Sequence, residues 1–93
     1  MTHKFLIHKH GDAVGVAVTE IRPGEEVEGV FMDDDARVRI EARDAVPFGH
    51  KIAIVDLAAG GRVIEYGIPI GVAPSGLAAG EYVHTHNLRS ARW

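Results

Sequence analysis

One spacing constrains this chain more than any other: an aliphatic residue, two residues, a glycine, two residues and a second aliphatic. It stands at Ile21-Arg-Pro-Gly24-Glu-Glu-Val27 and at Val46-Pro-Phe-Gly49-His-Lys-Ile52. It returns at Leu57-Ala-Ala-Gly60-Gly-Arg-Val63 and at Leu77-Ala-Ala-Gly80-Glu-Tyr-Val83. A glycine so placed supplies positive φ in a tight turn, and the flanking aliphatics anchor the strand arriving and the strand leaving. The copies start at positions 21, 46, 57 and 77, in steps of 25, 11 and 20, whereas a solenoid needs one fixed period. The pattern therefore predicts a compact all-β chain that keeps turning back on itself.

Strand candidates lie between the turns. Arg37–Arg43 alternates without a break, with Val38, Ile40 and Ala42 on one face and charges on the other. It follows the acidic stretch Asp33-Asp34-Asp35, so Val27–Met32 and Arg37–Arg43 read as a hairpin with a solvated tip. Lys51–Leu57 is apolar on both faces and is expected to be a central, buried strand. Val14–Val18 and Arg62–Tyr66 are short and β-branched, and Phe5–His8 is expected to add an edge strand. Glu65–Gly71 reads as a Gly/Pro-rich loop packed on the core. No window shows a sustained helical period, and Pro74–Gly80 offers at most one helical turn.

Ninety-three residues allow a single domain spanning 1–93, with 1–11 as an edge strand and arm and 88–93 as a tail. A chain this short has no room for a cofactor domain and a substrate domain together. The absence of cysteine excludes disulfide staples, thiolate metal sites and a cysteine nucleophile. A net charge of −3 and the lack of any Lys/Arg block argue against nucleic acid as a partner. The apolar run Phe5-Leu6-Ile7 is far too short for a signal peptide or a membrane span, so the cytoplasm is the expected location.

Six histidines are many for so small a chain. On an extended segment, His84 and His86 in Tyr82-Val83-His84-Thr85-His86-Asn87 would point to one face, side by side. Two imidazoles so placed can share a metal, or clamp an anion if protonated, and Asn87 adds an amide beside them. A catalytic metal needs a third ligand, from elsewhere in the chain or from another chain. The plainer alternative is that the pair decorates the exposed face of a last strand. Gly49-His50-Lys51 opens the most apolar strand, where Lys51 could hold an anion and His50 could exchange a proton, or both could be solvated turn residues. His3, His8 and His10 read as solvated N-terminal residues, and Asp33–Asp35 lacks the ligand spacing of a calcium loop.

These segments carry a resemblance. Gly49-His50-Lys51, Gly60 through Val63-Ile-Glu-Tyr66-Gly67-Ile-Pro-Ile70-Gly71, and Gly80-Glu-Tyr-Val83-His84-Thr-His86-Asn87 resemble, in order, the N-terminal domain of altronate and galactarate dehydratases. The resemblance runs from about Asp12 to Asn87 and implies a SAF-type β-clip fold. In such dehydratases the domain is commonly fused to a larger catalytic domain. A free-standing version is similar to the small subunit of (2R)-sulfolactate sulfo-lyase or of a split altronate-type dehydratase.

The resemblance implies elimination of sulfite or water from an anionic 2-hydroxy acid, together with a large catalytic lyase subunit. It also implies a divalent metal, iron(2+), held mainly by that partner. It would make His84 and His86 catalytic residues that also reach the metal, with His50, Lys51 and Asn87 on the substrate. One departure stands out: relatives often carry lysine where this chain has Glu65. Trp93 is expected either to fray in solvent or to pack against the partner. Two other classes stay open: a stand-alone module that binds sugar acids, and an assembly module without catalysis.

Overall fold

A computed structural model describes residues 3–90, and Trp93 lies outside the described residues. These residues form nine strands and no helix. They are β1 (Phe5–Ile7), β2 (Val14–Ala17), β3 (Glu26–Phe31), β4 (Arg37–Glu41), β5 (Lys51–Ala53), β6 (Gly61–Glu65), β7 (Ile68–Ala73), β8 (Tyr82–Val83) and β9 (Arg89–Ser90). One sheet runs β4-β3-β1-β2-β5-β8 and the other β6-β7-β9.

The four turn motifs explain this arrangement. In each, an amide three residues on closes the turn, from Glu25 to Arg22, His50 to Pro47, Gly61 to Ala58 and Glu81 to Ala78. The glycine before that amide has φ of 82°, 83°, 81° and 97° in turn, the conformation a type II turn requires. The motifs also pair two by two through their opening aliphatics, Ile21 with Val46 and Leu57 with Leu77. The closing aliphatics Val27, Ile52, Val63 and Val83 are all buried. The first two motifs build one core with Phe5 and Ile7, and the last two build a second with Val14, Ala53 and Ala73. The chain is thus two turn pairs, each closing over its own apolar cluster.

The hairpin expected at 27–43 forms as β3–β4, with Glu26 opposite Glu41 and Val30 opposite Arg37. Elsewhere the structure corrects the sequence reading. Phe5–Ile7 is no edge strand or arm: it lies inside the large sheet, parallel to β3 and antiparallel to β2, with Phe5 and Ile7 fully buried. That pairing joins segments far apart in sequence, so local pattern could not show it. The strand expected over Lys51–Leu57 is real only for Lys51–Ala53, because the chain then leaves to form the third turn. Pro74–Gly80 holds turns and a bridge instead of a helical turn. Arg89–Ser90, expected in a tail, pairs with β7.

The segment expected to be a loop, Glu65–Gly71, is the β6–β7 hairpin. Its central residues Tyr66 and Gly67 have φ of 58° and 75°, the positive pair of a type I′ turn. Tyrosine is unusual there. Buried Asp12 holds the conformation by accepting both turn amides, Tyr66 N–H at 2.9 Å and Gly67 N–H at 3.0 Å.

Candidate functional site: a histidine cluster on a tyrosine shelf

His50 closes the turn of the second motif, and Tyr82 directly follows the residue that closes the turn of the fourth. Strands β5 and β8 then bring the two together, with Ile52 opposite Tyr82 and Lys51 opposite Val83. Tyr82 is half-buried against the first core. Its hydroxyl lies 2.8 Å from His50 Nδ1, and the two rings meet edge to face at 5.6 Å.

His84 and His86 do not lie side by side on a strand. After Val83 the chain bends into a turn in which Asn87 N–H and Leu88 N–H donate to the His84 carbonyl at 3.1 and 2.9 Å. Asn87 closes it: Oδ1 accepts the His84 N–H at 2.9 Å, and Nδ2 donates to the Tyr82 carbonyl at 2.8 Å. The amide expected to face a substrate is therefore engaged by the chain itself. The turn folds both imidazoles back toward the phenol. His84 stacks on Tyr82 at 5.5 Å with planes 10° apart, and His86 lies 5.8 Å from the same ring at 54°. His50 and His84 are 5.7 Å apart. His86 and Asn87 also border a shallow depression of about 370 Å³ with Glu81 and Ser75.

Lys51 does not join this cluster. It registers with Val16, which places it on the sheet face that carries an apolar cleft of about 240 Å³. Leu6, Val14, Val16 and Val18 floor that cleft, while His8, Met32, Glu65 and Tyr66 complete its lining. Lys51 Nζ lies 3.8 Å from Glu65 Oε1. Burial pushes the Glu65 carboxyl above its usual range, and Asp12 adds to this, while the Lys51 charge pulls the other way. Glu65 is thus the partner of the lysine expected to hold substrate.

Fit to a metal is partial. Among the described residues, the one group of three side chains whose ligand atoms all lie within 4.8 Å is His10, Asp33 and Asp34. His84 and His86 supply imidazole nitrogens without such a third member, so within this chain their donor set is incomplete. His10 and Asp33–Asp35 are exposed, as expected, and they meet: the His10 N–H donates to Asp33 Oδ2 at 3.1 Å, and the His10 ring stacks on Phe31 at 3.9 Å. The His10 amide is the main cause that holds the Asp33 carboxyl below its usual range. Parallel pairing of Ile7 with Phe31 carries the two segments out together, and no local signal announces it.

This is an all-β domain that gathers three histidines and a tyrosine at one end of its larger sheet. It matches the model of the altronate/galactarate dehydratase SAF domain over residues 3–91, and it belongs to that family. It is 43% identical over the whole of both chains to the (2R)-sulfolactate sulfo-lyase subunit alpha of Chromohalobacter salexigens. It is 39% identical to the protein of that name from Paracoccus pantotrophus, over 69% of this chain and 96% of that one. Altronate dehydratase of Escherichia coli is 42% identical over 85% of this chain, a match that spans 15% of the dehydratase.

Proposed function

We propose that this chain is the small subunit of a lyase that acts on an anionic 2-hydroxy acid, and that the substrate is (2R)-sulfolactate. The observation that carries this is the end-to-end match to a sulfo-lyase alpha subunit, 43% identical with neither chain overhanging the other. In the altronate dehydratases the corresponding segment is a small part of a much longer chain, which fits a domain that works beside a large catalytic unit.

The chemistry asks for more than this chain holds. Removal of the proton α to the carboxylate and loss of the β-sulfonate as sulfite leaves the enol of pyruvate, which needs a base, an acid and a site for the carboxylate. In this reading His84 and His86 face the partner's active site and move protons there, with His50 donating to the anionic substrate. Lys51 adds positive potential from behind the sheet, and Asn87 keeps the histidine turn closed. A divalent metal, iron(2+), held mainly by the large subunit, would when bound supply Lewis-acid help at the substrate's carboxylate and 2-hydroxyl oxygens, which makes the α-proton more acidic. In this reading His84 and His86 would complete its ligand set. No helix of the described residues is long and apolar enough to cross a membrane.

The test is sulfite release from (2R)-sulfolactate by this chain, by a large sulfo-lyase subunit from the same organism, and by both together. Release is expected from the mixture alone, with the two chains co-purifying. A 93-residue chain that binds sugar acids by itself and ignores the large subunit would contradict the proposal in favour of a binding module.

A further inference from the structure

Tyr82 is fixed in place by its surroundings. Its backbone is held at three points. The N–H donates to Asp44 Oδ2 at 2.9 Å, the carbonyl accepts from Asn87 at 2.8 Å, and β-pairing sets it opposite Ile52. Its ring packs against the first core, so the hydroxyl has little freedom of position. That hydroxyl lies 2.8 Å from His50 Nδ1, its one hydrogen-bond partner among the described residues.

The direction of the bond follows from proton inventory. A phenol O–H is a donor that needs an acceptor, and a half-buried O–H that fails to donate is penalised. Neutral imidazole has one lone pair to offer and one N–H. With Tyr82 donating into Nδ1, the proton of neutral His50 sits on Nε2, at the opposite side of the ring from the phenol. We infer that Tyr82 is a positioning residue that locks His50 as the Nε2–H tautomer, so that this imidazole offers a donor to an anionic oxygen. The same ring is the shelf on which His84 and His86 rest. The identity of the anion rests on the function proposed above, while the tautomer does not.

Long-range proton–nitrogen NMR of the 15N-labelled full chain, at a pH above histidine titration, reads the tautomer directly. The expected spectrum shows His50 with a protonated Nε2 and a bare Nδ1. Tyr82→Phe keeps the ring and removes the donor, so His50 is expected to become a mixture of tautomers while the His84 and His86 signals stay in place. Tyr82→Leu is expected to move all three, and should it fail to fold, Tyr82→Phe still decides. A proton on Nδ1 in the parent chain, or an unchanged tautomer ratio in Tyr82→Phe, would overturn the inference. In the reconstituted enzyme, Tyr82→Phe is expected to raise KM about tenfold with kcat within about threefold, as loss of a ground-state contact does. A fall in kcat as large as that in kcat/KM would contradict a donor that acts on bound substrate. Absence of partner-dependent sulfite release would sink the lyase reading and leave the NMR result standing.

Discussion

Two regions of the molecule gather histidine beside groups distant in sequence, and they do so by different physics. At the β3–β4 tip, His10 meets Asp33 and Asp34, with side chains 50%, 40% and 55% exposed. Charge attraction there is screened by water, and the carboxylates keep their solvent. On the tyrosine shelf, His50, His84 and His86 meet a half-buried phenol and one another, and no carboxylate pairs with them in the described residues. Ring packing and a neutral hydrogen bond fix their orientation, so the geometry depends on the fold beneath. The tip is an exposed feature of charged groups with one stacked ring pair, His10 on Phe31. The shelf is an extension of a core.

That contrast is breakable, and the largest effect lies under the shelf. Ile52 is fully buried, closes the second turn motif and pairs with Tyr82. Ile52→Ala is expected to lower unfolding stability by about 2–5 kcal/mol and to broaden the His50 and His84 ring signals. Stability lost with the ring signals unmoved would separate the shelf from the core. Next comes Asn87→Ala, which leaves the His84 N–H and the Tyr82 carbonyl without their partner. A loss of about 1–3 kcal/mol is expected in urea unfolding, with the His86 ring freed from Tyr82.

Smaller again is the effect of Glu65. Its folded pKa lies above the usual 4.5 because burial disfavours the charged form. The stability it contributes is therefore present below that usual value and lost as pH rises through the folded one. Glu65→Gln removes this loss, so the variant is expected to gain on the parent chain as pH rises above the usual 4.5. Parallel stability profiles would show that Lys51 already offsets the burial. Last, His10→Ala removes an exposed ring stacked on Phe31, and is expected to move the urea midpoint little and to leave the shelf signals unchanged.

Much of the fold was legible because it is local. The glycine turns, their anchoring aliphatics and the β3–β4 hairpin depend on residues within a few positions of each other. What escaped depends on distant pairing. The parallel β1–β3 contact turns an expected edge strand into the middle of a sheet and brings His10 to Asp33. The Tyr66-Gly67 turn reads as a loop because its stabiliser, Asp12, lies more than fifty positions earlier. In the site, His50, His84 and His86 were visible as residue types at suggestive places. Tyr82 was not, because a tyrosine beside a strand valine reads as core. The side-by-side placement of His84 and His86 failed because Asn87 bends the chain just where alternation would have continued.

The central claim is that the shelf histidines serve the active site of a larger lyase subunit. The most direct measurement is sulfite release from (2R)-sulfolactate by the reconstituted complex, comparing the parent chain with the His84→Ala/His86→Ala double variant and assaying metal alongside. The account predicts an undisturbed complex whose turnover falls about 100-fold or more, as loss of positioned acid–base groups does. Full turnover with normal metal content in the double variant would contradict it.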